Sequence, residues 1–167
     1  MFAIFRFKQL RCLLFLFLAQ ITPAYAGCIA LGGCTFTVLT SPVSFGSYNP
    51  LSGTANNTTG SVSVKVTALV LAAGVSYEIR LSKGNSTTYS PRQMKLASNA
   101  LNYNLYSDSN RSQIWGDTTS GTVSVSDGYT MVGLSNTTSY TVYGRIPASQ
   151  NVTAGLYTDT ITISVIY

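Results

Sequence analysis

Apolar and polar residues alternate with a period of two through most of this chain after residue 34. That period places one set of side chains on one face of an extended strand and the other set on the opposite face. The clearest run is 75–81, which the turn Lys83-Gly84-Asn85 closes. No segment shows the 3.6-residue period of an amphipathic helix. The chain is therefore predicted to be all-β.

Turn-forming residues divide the alternating pattern into seven or eight short strands, 8 to 15 residues apart. The strand 62–67 and the strand 75–81 are predicted to form a hairpin. Proline has no amide donor, so Pro42 is expected to interrupt the first strand. This spacing predicts an immunoglobulin-like β-sandwich, with a closed barrel as the alternative. The other segments predicted to be extended are 36–38, 43–45, 94–96, 101–105, 114–115, 123–125, 140–144 and 161–167.

Residues 1–26 have the organisation of a secretory signal peptide. A basic stretch precedes the apolar run 13–19, and the small-x-small site Ala24-Tyr25-Ala26 follows. The apolar run is shorter than the ~20 residues that a membrane-spanning helix needs. The alternative is a lipoprotein whose lipid is attached to Cys28, but Tyr25 stands where the lipoprotein motif usually has leucine. The sequence therefore predicts an exported protein whose single domain spans residues 27–167.

Charge and cysteine content fit an exported protein. Cleavage of the predicted signal peptide would remove Arg6, Lys8 and Arg11. Seven scattered basic residues and five acidic residues would remain, which gives a net charge of +2. Nucleic acid is not an expected partner, because the basic residues do not cluster into a surface that could neutralise several phosphates. Cys28 and Cys34 remain and are expected to pair in an oxidising compartment.

The chain has no histidine, which removes the usual general base and the common hydrolase triads. It also removes the commonest metal ligand, so neither a metal nor a cofactor is expected. Asp108, Asp117 and Asp127 stand in turn-like contexts, where carboxylates cap backbone amides. A secreted hydrolase that uses only carboxylates has no supporting motif. The protein is predicted not to be an enzyme.

Five blocks of sequence, in order, match a known family. They are Phe45-Gly46-Ser47-Tyr48-Asn49-Pro50, Leu101-Asn102-Tyr103-Asn104-Leu105-Tyr106-Ser107-Asp108, Trp115-Gly116-Asp117, Tyr143-Gly144-Arg145-Ile146-Pro147-Ala148 and Gly155-Leu156-Tyr157-Thr158-Asp159-Thr160. On these blocks the chain resembles the spore coat protein U domain, the pilin-like domain of archaic chaperone-usher fibres. The resemblance spans almost all of residues 27–167.

The resemblance implies an incomplete sandwich that lacks its final strand. In similar proteins a periplasmic chaperone first lends a strand, and at the outer-membrane usher the N-terminal extension of the next subunit replaces it. It implies a pilus at the cell surface that serves adhesion and biofilm formation, with a surface receptor as a further partner. The residues expected to border the open groove and to contact the chaperone or donor strand are Thr160, Ile161, Ile163, Val165, Tyr167, Phe36 and Val38.

Two departures from the family pattern bear on the position in a fibre. Related subunits pair a cysteine like Cys34 with one near the position of Thr67, so Cys28 is expected to be the substitute. Only 27–33 precede Cys34, which is short for a donor strand and favours the tip or an end of a fibre. The alternative is that 28–39 serves as the donor.

A tip subunit would offer the loops 48–59 or 85–89 for adhesion. A different reading is a free-standing secreted binding module, or a spore-coat component, with a complete sandwich of its own.

Overall fold

The computed structural model describes residues 27–29, 33–69 and 74–167, and the predicted signal peptide 1–26 lies outside these ranges. Within the described ranges there are nine strands. They are β1 (Gly27–Ile29), β2 (Cys34–Ser41), β3 (Asn56–Ala68), β4 (Gly74–Leu81), β5 (Arg92–Leu96), β6 (Asn99–Tyr106), β7 (Val125–Tyr129), β8 (Ser135–Ile146) and β9 (Ile163–Ile166). None of the described residues forms a helix long and apolar enough to cross a membrane.

The strands form two antiparallel sheets. One sheet has five strands in the order β2-β3-β8-β6-β5. In the other, β4 pairs with β7 on one side and with both β9 and β1 on the other. The prediction of an all-β sandwich is confirmed.

The core lies between β3 and β4. Val62, Val64 and Val66 point inward from β3 and are buried, while the alternate residues of that strand face outward. Tyr77 and Ile79 on β4 are equally buried. Each such side chain contributes about 1.5–3 kcal/mol through its burial, so this face-to-face contact is a main source of stability.

The predicted hairpin of 62–67 and 75–81 is wrong. β3 pairs with β2 and β8, whereas β4 pairs with β1, β7 and β9, so the two strands lie in different sheets. The physical reason is burial, because each strand has one apolar face that needs a cover. Placed in opposite sheets the two faces cover each other, whereas a hairpin would leave them side by side.

A disulfide joins Cys28 to Cys34, as predicted. Cys28 lies in β1 opposite Val75 of β4, and Cys34 begins β2 opposite Ala68 of β3. The bridge therefore ties the two sheets together at one end of the sandwich.

Strand limits differ from the prediction at several places. β3 begins at Asn56, six residues before the predicted strand, and β8 begins at Ser135 rather than near Tyr140. The segments 43–45 and 114–115 are not regular strands, although Val43 and Phe45 still contact the core. The predicted interruption at Pro42 is confirmed, since β2 ends at Ser41.

Candidate functional site: an apolar groove beside the last strand

An open apolar groove of about 1020 Å³ lies between the two sheets. One wall is formed by residues 40–48, which include the end of β2, and the other by residues 152–163, which end at the first residue of β9. Its floor consists of core side chains that the two sheets contribute. They are Val62, Leu81, Met94, Leu101, Tyr103, Leu105, Val142 and Ile146.

The inward side chains of the two strands beside the groove are less buried than their pattern predicts. Ile163 and Val165 of β9 point toward the core yet are only half-buried, whereas Ile79 on the neighbouring β4 is completely buried. Val38 of β2 is 37% exposed. Among the described residues β9 pairs only with β4, and β2 only with β3. The groove is therefore bordered by two strands that each lack one neighbour.

Three of the residues predicted to border a groove, Thr160, Ile161 and Ile163, line this cavity. The others lie toward the disulfide end. There the rings of Phe36 and Tyr167 stack, with their centroids 3.9 Å apart and an interplanar angle of 12°. Val38 and Val165 lie outside the set of residues that line the cavity.

Sequence reasoning missed part of the groove. The alternation of Val43 and Phe45 predicts a strand, whereas in the structure the two side chains form a wall of the groove. The segment 152–158 also lines the groove. It has no regular period, so no periodic signal was available to find it.

Several motif residues hold the wall around Phe45 in place. A Cβ atom on Gly144 would lie 2.6 Å from Val43 Cγ1 and 2.8 Å from Phe45 Cζ, so only glycine permits this approach. The ring of Phe45 meets that of Tyr103 edge to face, with centroids 5.9 Å apart. The hydroxyl of Tyr48 donates to the Pro147 carbonyl oxygen at 3.1 Å.

Three further residues of the two C-terminal motif blocks also make specific contacts. Arg145 Nε donates to Asn57 Oδ1 at 3.1 Å, and Tyr157 donates its hydroxyl to Thr153 O at 2.9 Å. Tyr143 lies beneath the Arg111 guanidinium at 5.7 Å.

A buried arginine, Arg92, lies behind the floor of the groove, opposite Tyr103 in the sheet. Arg92 is 0% exposed and donates to the carbonyl oxygens of Ser82 and Trp115 and to Asn104 Oδ1, at 2.6–3.0 Å. Its guanidinium lies 5.1 Å from the ring centroid of Tyr89. Burial lowers the pKa of Arg92.

Trp115 is the central side chain of this region. It is completely buried and donates its indole N–H to the Ile79 carbonyl oxygen at 3.0 Å. The next residue, Gly116, leaves no room for a side chain, because a Cβ there would lie 2.4 Å from Thr122 Oγ1. The motif that begins at Trp115 thus has a structural role.

Asp159 is one of the residues that line the groove. Its carboxylate accepts hydrogen bonds from the Tyr103 hydroxyl at 2.7 Å and from the backbone amides of Asn85 and Thr160 at 2.8 Å. Burial, followed by the bond to Asp159, raises the pKa of Tyr103.

The aspartates predicted to cap turns do so. Asp108 accepts from the amides of Gln113 and Ser112, and Asp117 accepts from the hydroxyl and the amide of Thr119. These bonds lower the pKa of Asp108 and of Asp117.

Asp127 caps Gly128 and also accepts from the Tyr140 hydroxyl, which is hydrogen-bonded to that of Tyr77 at 2.7 Å. Burial raises the pKa of both tyrosines.

Exposed apolar side chains gather at the disulfide end of the sandwich. Leu69, Val132 and Leu134 are 80%, 93% and 58% exposed. The chain segments that carry them meet here, because Ala68, which precedes Leu69, donates its amide to Leu134 O at 2.9 Å, and Val132 is two residues before Leu134. We call these three residues the apolar end.

Of the loops expected to be free for adhesion, 85–89 offers no aromatic contact, because Tyr89 is buried.

Comparison with known proteins agrees with this geometry. The model of the Spore Coat Protein U domain matches residues 17–164. "Protein U" of Myxococcus xanthus is 34% identical over 133 residues, covering 75% of this chain and 71% of that protein.

Among solved structures, the chain is similar to one in the CsuC–CsuE chaperone–tip adhesion subunit pre-assembly complex from the archaic chaperone-usher Csu pili of Acinetobacter baumannii. The TM-score is 0.55 at 20% identity. The match covers 80% of this chain but only 40% of that one, and at this identity it shows the shared sandwich fold. The family match covers most of the sequence, and the chain therefore belongs to the Spore Coat Protein U domain family.

Proposed function

We propose that this chain is a structural subunit of a chaperone-usher surface pilus and that its groove accepts a β-strand from another protein. The observation that carries the proposal is the apolar groove beside β9, whose outer edge has no strand partner in the described part of the chain. Similarity to a subunit solved with its chaperone supports it.

The size and chemistry of the groove favour a strand over a small molecule. A cavity of about 150 Å³ holds one benzene, so a groove of about 1020 Å³ has room for several large side chains. An apolar small molecule would leave the outer amides and carbonyls of β9 unpaired. A strand pairs them and fills the groove with its alternate side chains.

The order of the assembly steps follows from the free-energy cost of leaving the groove empty. Each buried backbone group without a partner costs about 1–3 kcal/mol, and an open strand edge promotes aggregation. A periplasmic chaperone would first lend a strand, and the extension of another subunit would replace it at the outer-membrane usher. The protein would thus travel through the periplasm to the cell surface.

Thermal unfolding of residues 27–167, alone and with an excess of cognate chaperone or donor-strand peptide, tests the proposal. We expect a large rise in the unfolding temperature when the strand is added, because a ligand that binds only the folded state stabilises it. A stable monomer that does not respond would instead identify a self-complete binding module.

The position at the tip or an end of the fibre is a second part of the proposal. A donor extension must be free to leave its own subunit. Here β1 is paired with β4, and the Cys28–Cys34 bridge holds it to β2. The alternative assigned residues 28–39 to a donor, but all residues from Cys34 to Leu39 are paired with β3.

The test is assembly in vitro with the chaperone and a shaft subunit that lacks its own extension. The wild-type protein should accept strands but not polymerise with itself. The variant Cys28→Ser/Cys34→Ser is the control for the bridge. Efficient self-polymerisation of the disulfide-bonded protein would contradict the terminal position.

Adhesion and biofilm formation are the third part, and the apolar end is the surface we assign to them. Exposed side chains such as Val132 lose unfavourable contact with water when they meet another apolar surface. Replacing Leu69, Val132 and Leu134 with serine should reduce attachment of piliated cells to apolar surfaces. Leu51→Ser, which alters a leucine that is 92% exposed and lies outside the groove, is the matched control.

A further inference from the structure

We infer that the outward face of the five-stranded sheet binds an acidic polysaccharide, a hydroxyl-rich chain polymer that carries carboxylates. This face is formed by the outward side chains of β2, β3 and β8, and we call it the hydroxyl face. It lies on the opposite side of the sheet from the core side chains that form the groove floor. The inference goes beyond the proposed function and does not depend on it.

Small hydroxyl side chains cover most of the hydroxyl face. On β3 the outward residues alternate with the buried valines, and β2 and β8 place their own outward residues beside them in register. Ser41, Ser61 and Thr141, for example, form one row across the three strands. In the next row Ser63 Oγ and Ser139 Oγ are 2.7 Å apart, so these two side chains share the face. Because each hydroxyl can both donate and accept a hydrogen bond, the face matches a ligand that is itself rich in hydroxyls.

Three cations border these hydroxyls at two ends of the face. Lys65 is exposed at the end nearer the disulfide. At the other end the Arg111 guanidinium lies 5.7 Å from the ring centroid of Tyr143, and Arg145 is held by Asn57. Asn57 and Lys65 both belong to β3, and at about 3.3 Å per residue the two ends lie about 26 Å apart. A ligand that reaches all three cations must therefore be an extended polymer.

No carboxylate competes for these cations on the sheet itself. The five strands, all among the described residues, contain no aspartate or glutamate. Glu78 pairs with Arg80 in the other sheet, where Asp127 also lies. Asp108 is close to Arg111 in the sequence, but its carboxylate accepts hydrogen bonds from two backbone amides. The hydroxyl face is thus positively charged and attracts anionic chains.

The spacing of these groups favours an acidic polysaccharide over a nucleic acid. A nucleic acid carries a phosphate every few ångströms and is held by a dense row of cations. On the hydroxyl face the cations stand at the two ends, and neutral hydroxyls fill the stretch between them. A polysaccharide presents hydroxyls along its whole length, so it can hydrogen-bond to this stretch while its carboxylates meet the cations.

The affinity of the mature protein for three polymers tests the inference. Alginate is a linear polysaccharide with a carboxylate on every sugar, dextran is an uncharged polysaccharide, and single-stranded DNA is the nucleic acid. We expect alginate to bind most tightly. Its affinity should fall by about tenfold between about 50 mM and about 200 mM salt, because binding at three cations releases counterions.

Variants with matched charge locate the site. Lys65→Gln/Arg145→Gln should weaken alginate binding by at least about fivefold, because each exposed ion pair contributes up to about fivefold in affinity. The control Arg80→Gln/Lys83→Gln removes the same charge outside the face and should keep the wild-type affinity. Thr141→Glu places a carboxylate among the hydroxyls and should weaken binding by repulsion. Thermal unfolding of each variant checks that it folds.

Four outcomes would overturn the inference. If the two double variants lose affinity equally, the attraction comes from net charge and the hydroxyl face is not a site. If dextran binds as tightly as alginate, the cations are not used, and if DNA does so, the class of ligand is wrong. Failure of alginate to bind removes the inference altogether. None of these results bears on strand binding in the groove, which is tested separately.

Discussion

Replacing Arg92 with methionine should destabilise the domain by about 3 kcal/mol. The side chain is completely buried and donates to the carbonyl oxygens of Ser82 and Trp115. Methionine fills similar space but leaves both oxygens without this donor, and each orphaned group costs about 1–3 kcal/mol. Part of that loss is offset, because the variant no longer buries a charge, whose desolvation also lowers the pKa of Arg92.

Urea unfolding followed by tryptophan fluorescence measures this effect, since Trp115 is the sole tryptophan and accepts a bond from Arg92. With a slope of about 1–3 kcal/mol/M, the midpoint should fall by roughly 1–3 M. The matched control is Arg80→Met. Arg80 forms a partly exposed ion pair with Glu78 at 2.8 Å, and such pairs contribute about 0–1 kcal/mol. If the free energy of unfolding of Arg92→Met lies within about 1 kcal/mol of the wild-type value, the two carbonyl oxygens do not need the guanidinium as a donor, and the reasoning is refuted.

Two further predictions concern the glycine beneath the groove wall and the buried tyrosines. Gly144→Ala should lower the free energy of unfolding by about 1–3 kcal/mol through overpacking, and it should weaken strand binding, because the added Cβ would displace Val43 and Phe45. Gly53→Ala is the control. A Cβ at Gly53 would have no atom within 4 Å, so this variant should be neutral in the same urea and binding assays. Stability should be constant at neutral pH and fall above about pH 10, because burial raises the pKa of Tyr77, Tyr103 and Tyr140 above 10.0 and that of Tyr89 to about 12. The unfolded chain then loses phenolic protons that the folded one retains. Tyrosinate absorbance measures this, and release of all phenolic protons near pH 10 in the folded protein would contradict it.

Local periodicity predicted the strands well where one face is buried throughout. The run 75–81 is β4 to within one residue, and its inward residues are the ones that the pattern selects. Periodicity could not tell that β3 and β4 lie in different sheets, because it specifies which face is apolar and not which surface covers it. The partners of Arg92 were equally out of reach, since Ser82 O and Trp115 O are backbone atoms that only the fold brings together.

The same limit explains why the groove needed a structure. β4 and β9 have the same alternation in the sequence, yet Ile79 is completely buried and Ile163 remains half-buried. The difference lies in the neighbours, because β4 has strands on both sides and β9, in the described part of the chain, has one. A pattern of side chains encodes the face that a strand turns to the core, whereas the completeness of that core depends on what lies beside the strand. The open side of β9 needs an element that buries its apolar side chains and also hydrogen-bonds its row of backbone amides and carbonyls. Another β-strand meets both requirements at once.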